Sequence, residues 1–286
     1  YRIAEMGYSL AEGVLYPRWA PDFYHGYGYP IFNYYAPLTY HLGYWISLGH
    51  PEMAAQAAKA LFIGAQLIGV IGAYQLGNTF GKRGGGLLGA TAFAFSPYIQ
   101  FINPHVRGDL AEGFALGCLP WVLWSWHNVW QNAGLKFSVL AVISSAATLL
   151  SHNLTGLTML VLIAGLSTWH LLIQGHRASL RNALLVGVIF VLLTAFFWLP
   201  FLVERQYIQL EDVAGQGHYD YRRHFVPLTE LLSLLPQQDY RASSPVAPMT
   251  IGPPILILAL VGLLVSFHVV NKTERNAVAF AHSELM

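Results

Sequence analysis

The sequence predicts an all-α, polytopic membrane helix bundle. Three observations predict it. Of 286 residues, 55% are hydrophobic and only 10% are charged, whereas a soluble domain carries roughly 25% charged residues. Mean hydropathy is +0.46, and the apolar residues gather in runs of roughly 20, the length that crosses a bilayer. The strongly polar residues gather instead in a few connections between these runs. One membrane domain over 1–286 follows, with an outer loop and interfacial helix at 1–51, six spans in 52–203, a second outer loop at 204–250 and a last span at 251–270. The opening at Tyr1 reads as the middle of a loop without a signal peptide, so a further span before it is expected.

The elements follow in order. Residues 16–37, YPRWAPDFYHGYGYPIFNYYAP, are too rich in Pro, Gly and polar groups to cross, and they carry Arg18, Asp22 and His25 among many aromatic rings. Residues 38–48 are apolar but too short to cross alone, and their Tyr, Trp and His suit a helix lying in the interface. A second topology stays open here: a true span with a tight turn at Gly49-His50-Pro51 would put residues 1–37 on the other side. Seven spans are expected, at 52–76, 85–102, 110–130, 137–150, 154–174, 183–203 and 251–270. Lys82 and Arg83, then Lys136, then Arg177 and Arg181, then Lys272 and Arg275 fall in alternate connections. Short loops rich in Lys and Arg stay in the cytoplasm, so the other connections face outward. Lys59, inside a span, snorkels toward the interface. Thr229 to Leu235 has the composition of a short helix that Pro236 ends.

Several function classes drop out. The net charge is +1 and no basic cluster exceeds two residues, which excludes nucleic acid as a partner. The single cysteine, Cys118, lies in an apolar run and reads as a buried, inert thiol that forms no intrachain disulfide. No Cys/His spacing suggests zinc.

The outward connections collect the groups with chemistry. The first gives Arg18, Asp22 and His25. The second reads NPHVRGDLAEG and gives His105, Arg107, Asp109 and Glu112; a helix opening at Gly108 sets the two acids one turn apart. Glu112 then lies just inside the interface, where an acid is costly and has a function or a partner. The third gives His152 and Asn153, and the fourth begins with Glu204 and Arg205. Each also has a plainer reading. Asp109 suits a helix N-terminus, Arg107 an ion pair with Asp109, His152 a satisfied interfacial histidine, Glu204 and Arg205 a span terminus, and the tyrosines an aromatic belt.

Four stretches resemble the GT-C glycosyltransferase superfamily of bacterial and archaeal membrane proteins. They are residues 16–37, the Lys82-Arg83 turn followed by GGLLGATAFAFSPY, HVRGDLAE before a span, and FWLPFLVER leading into a long outer loop. Within that superfamily the chain is similar to the 6-pyruvoyl-tetrahydropterin synthase-related integral membrane proteins and the YfhO-like group, over most of its length. Nothing resembles the soluble pterin enzyme itself.

The resemblance implies a sugar donor carried on a polyprenyl phosphate, and a catalytic acid in the first outer loop. Asp22 matches that position; Glu5 and Glu12 share the loop but lie further from the aromatic segment. The DxD-like pair of some members is absent, since Phe23 and Tyr24 follow Asp22, which leaves a divalent cation (Mg or Mn) open as a cofactor. The expected protein is a cell-membrane glycosyltransferase with its site on the extracytoplasmic side. Asp22 is its general base, and Arg18, His25, His105, Arg107, Asp109, Glu112, His152, Glu204 and Arg205 bind substrate. The competing classes are a transporter or flippase for a lipid-linked or small solute, and a non-catalytic membrane assembly protein.

Overall fold

The computed structural model describes residues 1–207, 225–233, 250–253 and 255–262. Among them the regular structure is helical, and the β pairing is a single bridge between Ala20 and Tyr29. The contacts divide the chain into a main unit, Tyr1–Ala94 with Ile99–Phe225, and a smaller one, Phe95–Tyr98 with Val226–Met286. In the smaller unit a short helix at Leu228–Leu231 is tied to the strand of chain at Thr250, whose hydroxyl donates to the Ser233 carbonyl at 2.7 Å. Of the expected span at 251–270, residues 251–253 and 255–262 are described, with 255–262 helical; 263–270, Pro236, Lys272 and Arg275 lie outside the described residues.

The main unit opens with a helix that the sequence reading took for loop. α1 (Arg2–Ala11) buries Ile3 and Met6 against α3 (Leu38–Ile46) and the start of α4 (Ala54–Ala94). Its apolar residues recur at three- and four-residue spacing, which is enough for one packed face. α2 (Ile31–Tyr34) is a single turn. α3 has nine residues, about 14 Å of helix at 1.5 Å per residue, so it does not cross a bilayer.

α4 folds back on itself. At Gly81 and Lys82 the backbone leaves the helix, with φ 51° and ψ −151° at Lys82. A Cβ added at Gly77 would lie 2.3 Å from the Gly85 carbonyl oxygen, and one at Gly89 would lie 2.6 Å from that of Ala73. One at Gly69 would lie 2.2 Å from the Phe93 ring. Each pair straddles residue 81 by equal steps, so the two arms are antiparallel and touch backbone to backbone. These arms coincide with the first two apolar runs of the sequence, 52–76 and the start of 85–102. Small residues four apart on each arm permit the approach, and in lipid that close packing is the main source of helix association.

A stretch of wide π-type turns, Tyr98–Arg107, leads into α5 (Leu110–Trp130). α5 packs on α4, α6 (Leu135–Ser151), α7 (Asn153–Thr168) and α8 (Leu180–Glu204). Among the described residues, three helical segments are long and apolar enough to cross a membrane: Pro51–Arg107, which contains the hairpin, Asn153–Ile173 and Arg177–Tyr207. α5 is not among them, in keeping with its central place: a helix wrapped by others need not present an apolar surface all round. The outer helices do present one. On α8, Leu184, Val188 and Leu192 are each more than half exposed, as are Leu154, Leu157 and Val161 on α7. Apolar exposure of this extent marks a surface that meets lipid or another protein.

Contacts fix which helix ends meet. At one end Trp124 Nε1 donates to Thr79 Oγ1 at 3.1 Å, and Ser179 Oγ donates to the Trp130 carbonyl at 2.6 Å. The same end holds a chain of imidazoles: His127 Nδ1 to His170 Nε2 at 3.1 Å, and His170 Nδ1 to His176 Nδ1 at 3.0 Å. His170 is fully buried, with Trp130 stacked parallel to it. At the other end lie the N-terminal segment, Asn103 to Asp109, His152 and Glu204. Among the described residues, the connections at 82–83, 136 and 177–181 therefore share one end of the bundle; Lys272 and Arg275 lie outside the described residues.

Three substitutions test this packing. Gly77→Leu drives a side chain into the Gly85 backbone and is expected to cost about 1–3 kcal/mol or more, read as a lower unfolding midpoint in detergent. Gly84→Ala, where an added Cβ meets nothing within 4 Å, stays near wild type. His170→Ala strands two imidazole nitrogens and leaves a cavity, at about 2–4 kcal/mol, measured the same way.

Candidate functional site

The aromatic segment is built as a small hairpin. Ala20 and Tyr29 exchange N–H···O bonds of 2.8 and 2.9 Å. The loop between them turns through Tyr24, His25 and Gly26, all at positive φ. Gly28 is required where it stands: a Cβ there would lie 2.1 Å from the Trp19 indole nitrogen. This hairpin carries Asp22, exposed at its start.

Two polar straps hold the segment to the bundle. Arg18 donates to Asn33 Oδ1 at 2.7 Å and pairs with Glu204, which also accepts from Asn33 Nδ2 at 2.8 Å. Asn153, the first residue of α7, accepts the Ala36 N–H at 3.2 Å and donates to the Tyr34 carbonyl at 2.8 Å. Each joins residues far apart in sequence, and together they press residues 18–36 onto the ends of α7 and α8.

Beside the straps lies an acid cluster. Asp109 caps α5, accepting the Glu112 N–H at 3.1 Å, which satisfies one otherwise unpaired helix donor. Tyr35 directs its hydroxyl at the same carboxylate, 3.4 Å from Oδ1. Arg107 Nη1 lies 2.7 Å from Glu112 and Nη2 3.8 Å from Asp109. Asn103 Nδ2 reaches Glu112 at 3.4 Å. His152 Nε2 stands 3.9 Å from Asp109 Oδ2. Its Nδ1 accepts the Thr155 N–H at 3.3 Å, so the neutral ring carries its proton on Nε2, toward the acid. Burial pushes His152 below the ordinary histidine range, against the pull of Asp109 and Glu112 toward the charged form. Asp109, Glu112 and His152 offer two oxygens and a nitrogen within 4.8 Å of one another. By donor type that set fits a divalent ion, although Arg107 already supplies positive charge beside Glu112.

Asp22, Arg107 and Asp109 face one open cavity of about 1450 Å³. Its wall includes six tyrosines, Tyr1, Tyr8, Tyr24, Tyr29, Tyr35 and Tyr40, together with Arg2 and Glu5 from α1. Glu5 is buried, at 5% exposure, and its Oε2 accepts the Asp22 N–H at 3.3 Å. Burial pushes the Glu5 carboxyl above its usual range; the Asp22 N–H opposes this and the Asp22 charge adds to it.

The expected residues therefore sort into groups. Asp22, Arg107 and Asp109 line the cavity, and Glu112 and His152 stand behind Asp109. Arg18 and Glu204 are engaged with each other and do not line it. His25 is exposed on the hairpin loop, His105 is exposed beside the Phe101 ring, and Arg205 is exposed just after α8. Sequence reading passed over Arg2, Glu5, Tyr35, Tyr40 and Asn33 as site residues. The spacing of Ile3 and Met6 would have revealed α1 and with it Arg2 and Glu5 on one turn. Nothing local would have revealed that Glu5 is buried.

The shifted Glu5 gives a pH test. Its folded-state pKa is raised, so its contribution to stability is present below the unfolded pKa and is lost as pH rises through the folded value. Glu5→Gln is expected to raise the unfolding midpoint at pH 7 and to leave it unchanged at pH 4, measured by thermal unfolding in detergent at both pH values.

Compared with protein-family models, with curated proteins and with solved structures, the chain matches none.

Proposed function

We propose that the chain is a glycosyltransferase that takes a sugar from a polyprenyl phosphate at the extracytoplasmic face of the membrane. The observation that carries the reading is one cavity in which Asp22, Glu5, Asp109 and Arg107 stand among six tyrosines. Sugars are bound by flat aromatic faces together with carboxylates that accept their hydroxyl protons. About 1450 Å³ exceeds the roughly 300–1,000 Å³ of ordinary small-molecule sites, which leaves room for a donor head group and an acceptor together. The acidic and basic groups cluster at helix ends; transport sites characteristically sit near the midplane of broken helices.

The chemistry is an inverting displacement. An acceptor hydroxyl oxygen bonds to the anomeric carbon as the bond from that carbon to the phosphate oxygen breaks, and the electron pair leaves with the phosphate. Asp22 takes the hydroxyl proton. Glu5, whose carboxylate accepts the Asp22 N–H, fixes the loop that presents this base. His152 and Tyr35 orient Asp109, which with Glu112 holds Arg107 at the cavity wall. A divalent ion held by Asp109, Glu112 and His152 would add positive charge near the leaving phosphate.

The test is sugar transfer in membranes that contain the full protein, with polyprenyl-phosphate-linked glucose and mannose as donors. Asp22→Asn is expected to lower the transfer rate by about 10²–10⁴-fold, the usual share of a general base, with unfolding behaviour unchanged. Transfer undiminished in that variant, or sugar moved across the membrane without transfer, sinks the reading.

A further inference from the structure

Among the described residues, four arginines lie at the site end of the main unit, and their surroundings differ. Arg18 is paired with Glu204, and Arg107 with Glu112 and Asp109. Arg205 lies just beyond α8, away from the residues that line the cavity. Arg2 lines the cavity, and among the described residues no carboxylate is ion-paired with it. Its guanidinium carbon lies 4.4 Å from the centre of the Tyr35 ring and 5.7 Å from that of Tyr40. Nη1 donates to the Tyr40 hydroxyl at 2.8 Å.

These contacts hold the guanidinium in place without neutralising it. Tyr40 is 4% exposed, and Tyr35 is fixed through its hydroxyl to Asp109. A guanidinium has five N–H donors in a planar fork, and one of them is spent on Tyr40. A half-buried cation without a counter-charge is costly unless an anion arrives, and a preset fork matches two oxygens of a phosphate. Lysine in the same place would offer a point charge without the fork.

We propose that Arg2 is the anion-binding residue of the cavity and takes the phosphate of a lipid-linked phosphate. The lipid part rests on the function proposed above; the anion part rests on the geometry of Arg2 alone. Arg2 displaces Arg18 and Arg205 as the cation that meets the leaving group. Arg107 keeps the second place, because its charge is shared with two acids. Glu5, one turn further along α1, accepts the Asp22 N–H, so one helix carries the anion site and the residue that holds the base's loop, and a bound donor would lie with its phosphate toward Tyr35 and its sugar toward Asp22.

The test is direct binding to the full protein in nanodiscs, which needs no knowledge of the sugar. Three probes are used: undecaprenyl phosphate, undecaprenol and inorganic phosphate. Wild type is expected to bind undecaprenyl phosphate well above undecaprenol, and Arg2→Gln to weaken it by about 10- to 100-fold, the usual effect of losing a charge-assisted hydrogen bond. Arg2→Lys is expected to fall between, and it serves as the folded comparison should Arg2→Gln unfold. Arg181→Gln, at the opposite end of the bundle, leaves binding unchanged. Strong binding by wild type that neither Arg2 variant weakens overturns the assignment to Arg2 while leaving the transferase reading standing. Wild type that binds the phosphate and the alcohol equally overturns both. Inorganic phosphate bound as tightly as the lipid, and lost in Arg2→Gln, overturns the lipid source and leaves a site for free phosphate.

Discussion

The site depends on Asp109. Its carboxylate caps α5, receives the Tyr35 hydroxyl, faces His152 Nε2 and stands beside Arg107. Three separate stretches of chain thus meet at one side chain. A charged acceptor draws stronger hydrogen bonds than a neutral one, and at a helix N-terminus it also meets the positive end of the dipole. Both the plain reading of Asp109, as a cap, and the functional one, as part of a polar cluster, hold together. The cap fixes the acid in space, and the fixed acid is what allows the aromatic segment to be placed against the bundle.

The scaffold that presents this cluster is held by contact rather than by exclusion of water. In lipid, an exposed leucine on α8 has no reason to move inward, so apolar burial adds little between helices. What remains is close approach and hydrogen bonding. Gly77 against Gly85, and Gly89 against Ala73, bring backbones together. Trp126 Nε1 to Ser145 Oγ, at 3.0 Å, and Ser125 Oγ to Ser144 Oγ, at 3.4 Å, join α5 to α6. Such interhelical bonds contribute about 0.6 kcal/mol each on average in membrane bundles. The buried face of α6 is accordingly rich in small residues and hydroxyls, Ala141, Ser144, Ser145, Ala146 and Thr148. The His127–His170–His176 chain extends the same logic to the far end, where three polar rings satisfy one another.

Much of the helical layout was legible in the sequence because lipid imposes few alternatives. Lys82 and Arg83 break two apolar runs, and the chain turns there. Asp109 before an apolar run reads as a cap, and it is one. The helix within residues 38–48, too short to cross, was legible from its length. The misses have physical causes. α1 has ten residues and carries Arg2 and Glu5, so it resembles loop until one counts the spacing of Ile3 and Met6. The Arg18–Glu204 pair spans 186 positions, and no local pattern encodes it. Both residues were picked out for their chemistry, and both turn out to hold the segment in place. Glu5 was set aside because it lies far along the chain from the aromatic run; the hairpin from Ala20 to Tyr29 folds that distance away.

The charges of the cavity are linked through one ring. Tyr35 gives its hydroxyl proton toward Asp109 and its face to Arg2. Burial pushes the phenol above its usual range, so it stays a donor rather than ionising. Hydrogen bonding to an anion pushes electron density back into the phenol ring, as bonds in series polarise one another. A richer ring face attracts a cation more strongly. The acid cluster thereby steadies Arg2 without touching it, and without cancelling its charge as a direct ion pair would. Placing an aromatic ring between acid and cation keeps both fixed while leaving the outward donors of the guanidinium for a ligand.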